Sequence, residues 1–237
     1  MTKHPSVIAV VPARGGSKGL PGKNIKMLGN RPLLSWPIHT AKESAYIQRV
    51  ILSTDETTFA EIGRQAGAEA PFIRPSELAS DTANSIDVVT HALGFLAEKF
   101  DYIVLLEPTS PLTSASLLDS AIQALIDNRQ HADACVGVVQ EINAHPNFLF
   151  EQQENELLRP FLDHEMGVGI RRQDVSKVFR PEGSFYISDI EALKENQSFY
   201  HKRTMGYEVP DWMSYEIDNP LDFTIIEAIA RYKGLIE

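Results

Sequence analysis

Buried-strand patterns alternate with helix patterns through the first 140 residues, and this alternation limits the possible folds more than any other feature. The strand patterns are continuous apolar, β-branched runs at 6–13, 49–55, 102–108 and 133–139. Helical spacing of apolar residues fills the intervals at 35–45, 57–67, 84–98 and 114–127. Strands without polar alternate positions are covered on both faces. The order therefore predicts an α/β fold with a doubly wound, mostly parallel sheet.

The alternation stops at 140–183, where short apolar pieces mix with charged residues without a clean period. A strand pattern returns at 184–188, and a final helix pattern begins at Asn219 and stops at Gly234. A break of this length inside a compact domain is usually functional. We therefore expect a single domain over 1–237, interrupted by an inserted lid or dimerisation element.

The charge of the chain is unevenly distributed. The formal net charge is -10, yet residues 1–42 hold seven Lys and Arg and no Asp or Glu. An acidic body argues against general nucleic-acid binding, which needs a basic surface. One cationic corner on an acidic protein instead favours a local site for a small anion.

Cysteine usage and apolar run lengths predict where such a chain works. The single cysteine, Cys135, lies in the apolar run ACVGVV and suits a reducing cytoplasm. The first apolar stretch, at 7–12, is too short for a signal-peptide core or a membrane span, and no later segment approaches 18 apolar residues. We expect a cytoplasmic protein without a membrane segment.

The segment 12–24, PARGGSKGLPGKN, follows the first strand pattern and concentrates the basic residues. Its four glycines let the backbone direct amide N–H groups toward one point, where Arg14, Lys18 and Lys23 add positive charge. The spacing matches neither G-x-x-x-x-G-K-[ST] nor G-x-G-x-x-G. The cations favour a phosphate-binding loop over a structural turn.

Separated motifs agree in order with one family. The chain resembles the acylneuraminate cytidylyltransferases, or CMP-sialic acid synthetases, which include the enzymes that activate legionaminic and pseudaminic acid. Besides the glycine-rich loop, the matching motifs are LSTD at 52–55, RPSELASDTA at 74–83, EPTSPL at 107–112, RRQD at 171–174, GSFYI at 183–187 and EID at 216–218. The resemblance implies a fold like that of nucleotide-diphospho-sugar transferases, with a protruding dimerisation element.

The resemblance also implies a reaction, in which CTP and a nine-carbon 2-keto-3-deoxy sugar acid give a CMP-sugar and pyrophosphate. The anomeric hydroxyl attacks the α-phosphorus, so positioning and charge neutralisation carry catalysis. The residues assigned to catalysis are Arg14, Lys23, Arg171 and Arg172, with the choice between the last two open. The residues assigned to the nucleotide are Ala13, Arg14, Gly15, Ser17, Lys18, Lys23, Asn24, Arg74 and Ser85.

Two of the nucleotide residues have structural alternatives. Arg74 and Ser85 match the family's base and ribose contacts. Arg74 is alternatively a surface arginine beside Pro75. Ser85 is alternatively a helix cap, a role for which Asn84 competes.

The sugar acid is assigned by the resemblance to a second set, and the chain departs from the family pattern there. Where the family commonly has Gln and Arg, this chain has Glu107 and Thr113. An ionised glutamate accepts hydrogen bonds but donates none, and whether Glu107 acts as a base stays open. Arginine binds carboxylates through two parallel hydrogen bonds. The predicted substrate residues are Glu107, Thr109, Ser110, Arg171, Arg172 and Tyr186.

A candidate metal site lies near the carboxyl end. Glu216 and Asp218 are two residues apart, so an extended backbone directs both carboxylates to one side. Mg²⁺ is typically held by one or two carboxylates together with substrate phosphates, and we expect Mg²⁺ or another divalent cation here. The family usually has Asp-x-Asp, so Glu216 is a departure. The alternative for Asp218, an acid at a helix N-terminus, suits Asp222 better.

Two other functions stay open. One is the synthetase for the eight-carbon acid of lipopolysaccharide core, although RRQD and EPTSP fit the nine-carbon branch better. The other is a catalytically silent nucleotide-binding regulator, against which the presence of Arg14, Lys23 and Asp218 argues. We expect a homodimer that binds CTP and a nonulosonic sugar acid, and neither nucleic acid nor membrane.

Overall fold

A computed structural model of the chain describes residues 5–162 and 171–237. In chain order, the strands are β1 (Val7–Pro12), β2 (Met27–Leu28), β3 (Arg31–Pro32), β4 (Ile47–Ser53), β5 (Tyr102–Leu105), β6 (Ala134–Gln140), β7 (Phe150–Gln152), β8 (Leu158–Pro160), β9 (Phe179–Asp189) and β10 (Thr204–Glu208). The helices are α1 (Ser35–Glu43), α2 (Thr57–Gln65), α3 (Ser85–Gly94), α4 (Ala115–Asp127), α5 (Ile190–Asn196) and α6 (Pro220–Tyr232).

The central sheet has six strands in the order β10-β6-β9-β5-β1-β4. β1 pairs in parallel with β4 and β5, and β10 pairs in parallel with β6. β9 runs antiparallel to both of its neighbours, β5 and β6. The prediction of a mostly parallel α/β sheet is therefore confirmed, with one reversed strand.

Alternate residues of β1 enter two separate cores. Ala9 and Val11 belong to one buried apolar cluster, whereas Ile8 and Val10 belong to the other. Successive strand side chains point to opposite faces, so the sheet is covered on both. This is why β1 reads as an unbroken apolar run. No helix in the two described ranges is both long and apolar enough to cross a membrane.

The predicted break at 140–183 is shorter in the structure. β6 ends at Gln140, and β9 begins at Phe179, where it pairs with Gln140. The first residues of β9 are exposed, so they lack the apolar pattern that marks a buried strand. The hairpin of β7 and β8 occupies part of the break and forms a separate sheet. Residues 163–170 of the predicted insertion lie outside the described ranges.

Candidate active site

Three loops that carry motifs of the resemblance meet at one edge of the sheet. β4, β1 and β5 are neighbours in the sheet and parallel, so the segments that follow Ser53, Pro12 and Leu105 emerge side by side. Ligands of open α/β sheets bind beyond the carboxyl ends of such strands. The sheet topology therefore places the glycine-rich loop between the other two segments.

Hydrogen bonds fix the start of the glycine-rich loop. The buried Asn24 donates from Nδ2 to the carbonyl oxygen of Arg14 at 2.9 Å. The backbone N–H of Gly15 donates to Oδ1 of Asp55 at 3.0 Å. Asn24 thus closes the loop on itself, whereas Asp55 ties it to the end of β4. Both side chains support the loop conformation.

The loop is also held against residues 217 and 218. Lys23, whose side chain is only 13% exposed, places Nζ 3.6 Å from Oδ1 of Asp218. The same Nζ donates to the carbonyl oxygen of Ile217 at 2.7 Å. At Gly19, an added Cβ would lie 2.2 Å from the carbonyl oxygen of Asp218. This approach of two backbones requires glycine at position 19.

A cavity of about 250 Å³ opens beside the loop. It brings together eight of the predicted residues, Arg14, Ser17, Lys23, Asn24, Arg74, Ser85, Glu107 and Thr109. Other predicted residues lie near the cavity but do not line it. Ala13 and Ser110 are buried beneath the surface, and Lys18 is exposed at the rim. The sequence-distant motifs therefore converge on one polar site.

The two residues with structural alternatives both face this cavity. The Arg74 side chain is 3% exposed, and its Nη2 lies 3.8 Å from Oδ1 of Asp55. Burial lowers the pKa of the Arg74 guanidinium, with Asp55 opposing this effect. The surface-arginine alternative is therefore wrong. Asn84 caps α3 by accepting from the N–H of Ile86 at 3.0 Å, so the hydroxyl of Ser85 is not the cap.

A second cavity, of about 220 Å³, adjoins the first. Ser85 and Glu107 line both cavities. The second cavity adds an aromatic wall, in which the Tyr186 ring lies 5.6 Å from the Phe199 ring and 6.1 Å from the Tyr200 ring, centroid to centroid. The sequence predicted Tyr186 but missed Phe199 and Tyr200, because they follow α5 in a segment without a recognisable motif.

Glu107 stands at the junction of the two cavities. Burial raises the pKa of its carboxyl to about 7. The nearby carboxylates of Glu216 and Asp218 contribute to this rise, whereas the ammonium of Lys23 opposes it. The Glu107 carboxyl therefore changes its protonation state near neutral pH, which suits a group that exchanges a proton with a ligand.

The two predicted metal ligands sit in different environments. Oε1 of Glu216 accepts from the N–H of Gly183 at 2.9 Å, and burial raises the pKa of this carboxyl. The Asp218 side chain is 78% exposed. Asp222 accepts from the N–H groups of Asp218 and Asn219, so Asp222 is the capping acid of α6.

The carboxylate of Asp218 thus remains available beside Lys23. Hard carboxylate oxygens next to an anion site fit Mg²⁺, which binds one or two carboxylates together with phosphate oxygens. Across residues 5–162 and 171–237, no group of three or more His, Cys, Asp and Glu side chains is arranged to hold a metal ion. The side chains present fit a cation that is shared with a phosphate ligand.

No described side chain of the second basic segment, at 171–180, lines either cavity. Arg171 is exposed, and it precedes a short 3-10 turn at Arg172–Asp174. The side chain of Arg172 lies outside the described part of the structure. Arg180 pairs with Glu141 at 3.4 Å. The structure therefore leaves the roles predicted for Arg171 and Arg172 as predictions.

The fold and this edge of the sheet define a nucleotide-binding α/β domain, because the glycine-rich cationic loop follows the first strand at the ligand-binding end of the sheet. A family model described as Cytidylyltransferase matches residues 8–230, and the chain belongs to the cytidylyltransferase family.

Named relatives and a solved structure agree with this membership. A CMP-N,N'-diacetyllegionaminic acid synthase from Legionella pneumophila is 30% identical over 94% of this chain and 95% of its own length. A pseudaminic acid cytidylyltransferase from Campylobacter jejuni is 29% identical over 94% of this chain and 96% of its own length. A structure of CMP:2-keto-3-deoxy-manno-octonic acid synthetase complexed with CTP has a TM-score of 0.70 and 15% identity, covering 96% of this chain and 99% of that one. The last likeness confirms the fold.

Proposed function

We propose that the chain transfers CMP from CTP to a nine-carbon 2-keto-3-deoxy sugar acid and releases pyrophosphate. The observation that carries this proposal is the pair of adjoining cavities, one cationic and one aromatic, that share Ser85 and Glu107. Two substrates that react with each other need adjoining sites. The relatives at about 30% identity are named for legionaminic and pseudaminic acid, which favours a nine-carbon acid over the eight-carbon alternative.

The first cavity would hold the nucleotide. Arg74, a buried donor, and Ser85 would contact the cytosine and the ribose, and the loop cations Arg14 and Lys23 would neutralise the triphosphate. Donors that are already held in place stabilise charge that develops on the leaving pyrophosphate. Lys23 meets this condition, because Ile217 fixes its ammonium before any ligand arrives.

The second cavity would hold the sugar acid, with its anomeric hydroxyl toward the shared wall. In the proposed step, a bond forms between the anomeric oxygen and the α-phosphorus, and the bond from that phosphorus to the pyrophosphate oxygen breaks. The proton of the hydroxyl needs an acceptor. We propose Glu107 as this acceptor, and its position in the walls of both cavities supports the proposal.

We propose that Asp218 and Glu216 hold Mg²⁺ or another divalent cation. The cation would supply positive charge to the phosphate oxygens of the nucleotide. Asp218 is the exposed member beside Lys23, and Glu216 is oriented by the N–H of Gly183. Excess EDTA should abolish activity and added Mg²⁺ should restore it. Activity that persists in excess EDTA would remove both residues from this role.

We further propose that the inserted segment mediates a homodimer in a reducing cytoplasm. The segment exposes large apolar side chains, a surface that is typical of protein contacts. These side chains are Ile142, Leu149, Phe150, Leu157, Leu158, Phe161 and Leu162. Such a contact would bring Arg171 or Arg172 near the sugar acid of the partner site. Sedimentation should show a dimer at micromolar concentration, and Leu158→Asp should convert it to a monomer.

The test of the whole proposal is pyrophosphate release with CTP, Mg²⁺ and a panel of acids. The panel contains sialic, legionaminic, pseudaminic and eight-carbon acids, with ATP, GTP and UTP in place of CTP as controls. We expect release with CTP and at least one nine-carbon acid. Pyrophosphate release with the eight-carbon acid alone would mean that the chain is the alternative, eight-carbon synthetase. CTP binding without turnover of any acid would favour the silent regulator.

A further inference from the structure

The carboxylate of Asp81 pairs with two cations of the glycine-rich loop, Arg14 and Lys18. Asp81, on the segment between the end of β4 and α3, lines the nucleotide cavity. One of its oxygens lies 2.8 Å from Nη2 of Arg14, and the other contacts Nζ of Lys18. Arg14 also donates to the carbonyl oxygen of Ala79 at 3.4 Å, so its guanidinium is turned toward this segment.

We propose that Asp81 is an internal counter-ion that competes with the outer phosphates of the nucleotide for Arg14 and Lys18. Its two oxygens bind the two cations as a pair of phosphate oxygens would. The inference rests on the proposed function, because it assigns Arg14 and Lys18 to a polyphosphate. Hydrogen bonds from Lys18 and Arg14 hold the pKa of Asp81 below its ordinary value, so its carboxylate is charged at neutral pH.

Asp81 competes with a ligand for Arg14 and Lys18 and does not contact Lys23. Lys23 instead contacts Ile217 and Asp218, whereas Asp81 pairs with Arg14 and Lys18. A ligand without β- and γ-phosphates would leave the contacts of Asp81 in place. A ligand with them must displace the carboxylate from both cations. Asp81 therefore weakens the binding of polyphosphates selectively and leaves nucleoside monophosphates unaffected.

This competition has a consequence for the reaction cycle. CTP and pyrophosphate both displace Asp81, but only CTP also gains contacts to its base and ribose. Once the bond to the α-phosphorus breaks, pyrophosphate is held by charges for which Asp81 competes. The return of Asp81 to Arg14 and Lys18 would promote departure of the product. Asp81 is thus a residue that sets affinity for the product, and it takes no part in bond making.

The test is direct binding to the full chain by calorimetry, at fixed ionic strength and without added divalent cation. The ligands are CTP, CMP, pyrophosphate and inorganic tripolyphosphate. Asp81→Asn should bind pyrophosphate, tripolyphosphate and CTP about three- to tenfold more tightly, the range expected when two exposed ion pairs stop competing. Its affinity for CMP should equal that of the wild type. Asp81→Ala should reproduce the result, because the effect comes from loss of the charge.

Asp87→Asn is the matched control. Asp87 is exposed on α3 and lies outside the cavity wall, and its substitution removes the same charge. If Asp87→Asn gains as much affinity for the polyphosphates as Asp81→Asn, the effect comes from the net charge of the protein and the proposal is overturned. Pyrophosphate affinity of Asp81→Asn within twofold of the wild type, or weaker, would also overturn it. If the wild type binds tripolyphosphate but does not bind CTP even after Mg²⁺ is added, the proposed function fails, while the comparison still tests Asp81.

Discussion

Glu182 should make the stability of this protein depend on pH. Its side chain lies in β9 and is 2% exposed. Oε2 accepts from the backbone N–H of Ser184 at 3.0 Å and from the Ser184 hydroxyl. Oε1 faces Gly137 and has no hydrogen-bond partner among the described residues. Burial raises the pKa of this carboxyl from 4.5 to about 6, with Ser184 opposing and Glu216 adding to the shift.

The direction and the size of this pH dependence of stability follow from the pKa of Glu182. The folded protein favours the protonated carboxyl, so the contribution to stability is complete below about pH 4.5 and is lost as the pH rises through about 6. The rise of the Glu182 pKa from 4.5 to about 6 corresponds to about 2 kcal/mol of stability. Above about pH 7, the ionised carboxylate of Glu182 therefore destabilises the fold by about 2 kcal/mol.

Glu182→Gln removes the ionisation and keeps a carbonyl oxygen for Ser184. The measurement is urea unfolding of the wild type and the variant from pH 4.5 to 7.5. The unfolding free energy of the variant relative to the wild type should rise by about 2 kcal/mol across this interval. A constant offset from the new amide cancels in this comparison. Glu195→Gln, at an exposed position of α5, serves as the control. A flat difference for Glu182→Gln would refute the reasoning.

Three further changes test the proposed active site. Lys23→Ala should lower turnover about 100-fold, because a preorganised charge is lost, while unfolding free energy falls by only about 1–3 kcal/mol; unchanged CTP-dependent pyrophosphate release would contradict this. Gly19→Ala should raise the KM for CTP, because the new Cβ would displace the loop from the carbonyl oxygen of Asp218; a wild-type KM would show that the contact is irrelevant. Glu107→Gln should lower kcat and remove a rise of kcat with pH centred at about 7, measured by pyrophosphate release; an unchanged profile would exclude Glu107 as the base.

The strands β1, β4, β5 and β6 could be predicted because most of their residues are buried, whereas the parallel strand β10, which is half-buried or exposed, was missed. In β1, every residue from Val7 to Val11 is buried, so the strand appears in the sequence as an unbroken apolar run. The beginning of β9 follows another rule. Phe179 and Arg180 are exposed while they pair with β6, so no apolar pattern marks the strand there. Backbone pairing at an exposed position leaves little trace in the choice of side chains.

The nucleotide side of the site was predictable and the sugar side only in part. Part of the nucleotide cavity comes from the loops that directly follow β1 and β5, whose motifs combine a strand pattern with polar residues, and the rest comes from residues 74–88. Phe199 and Tyr200 follow α5, the helix after the antiparallel strand β9, and they line the second cavity through the fold rather than through a local motif. The contact of Lys23 with Ile217 joins residues 194 positions apart. Such contacts depend on the assembled fold, which local spacing does not encode.

The acidic groups around the candidate site raise an electrostatic problem that the cationic loop does not solve alone. Glu107, Glu216 and Asp218 are close enough for the charges of Glu216 and Asp218 to raise the pKa of Glu107. A triphosphate brought to this edge would be repelled by the same charges, and Asp81 occupies two of the cations that would attract it. A divalent cation beside Asp218 would neutralise carboxylate and phosphate together. On this reasoning, Mg²⁺ should tighten the binding of CTP far more than that of CMP. Equal effects of Mg²⁺ on the two affinities would mean that the carboxylates do not face the outer phosphates.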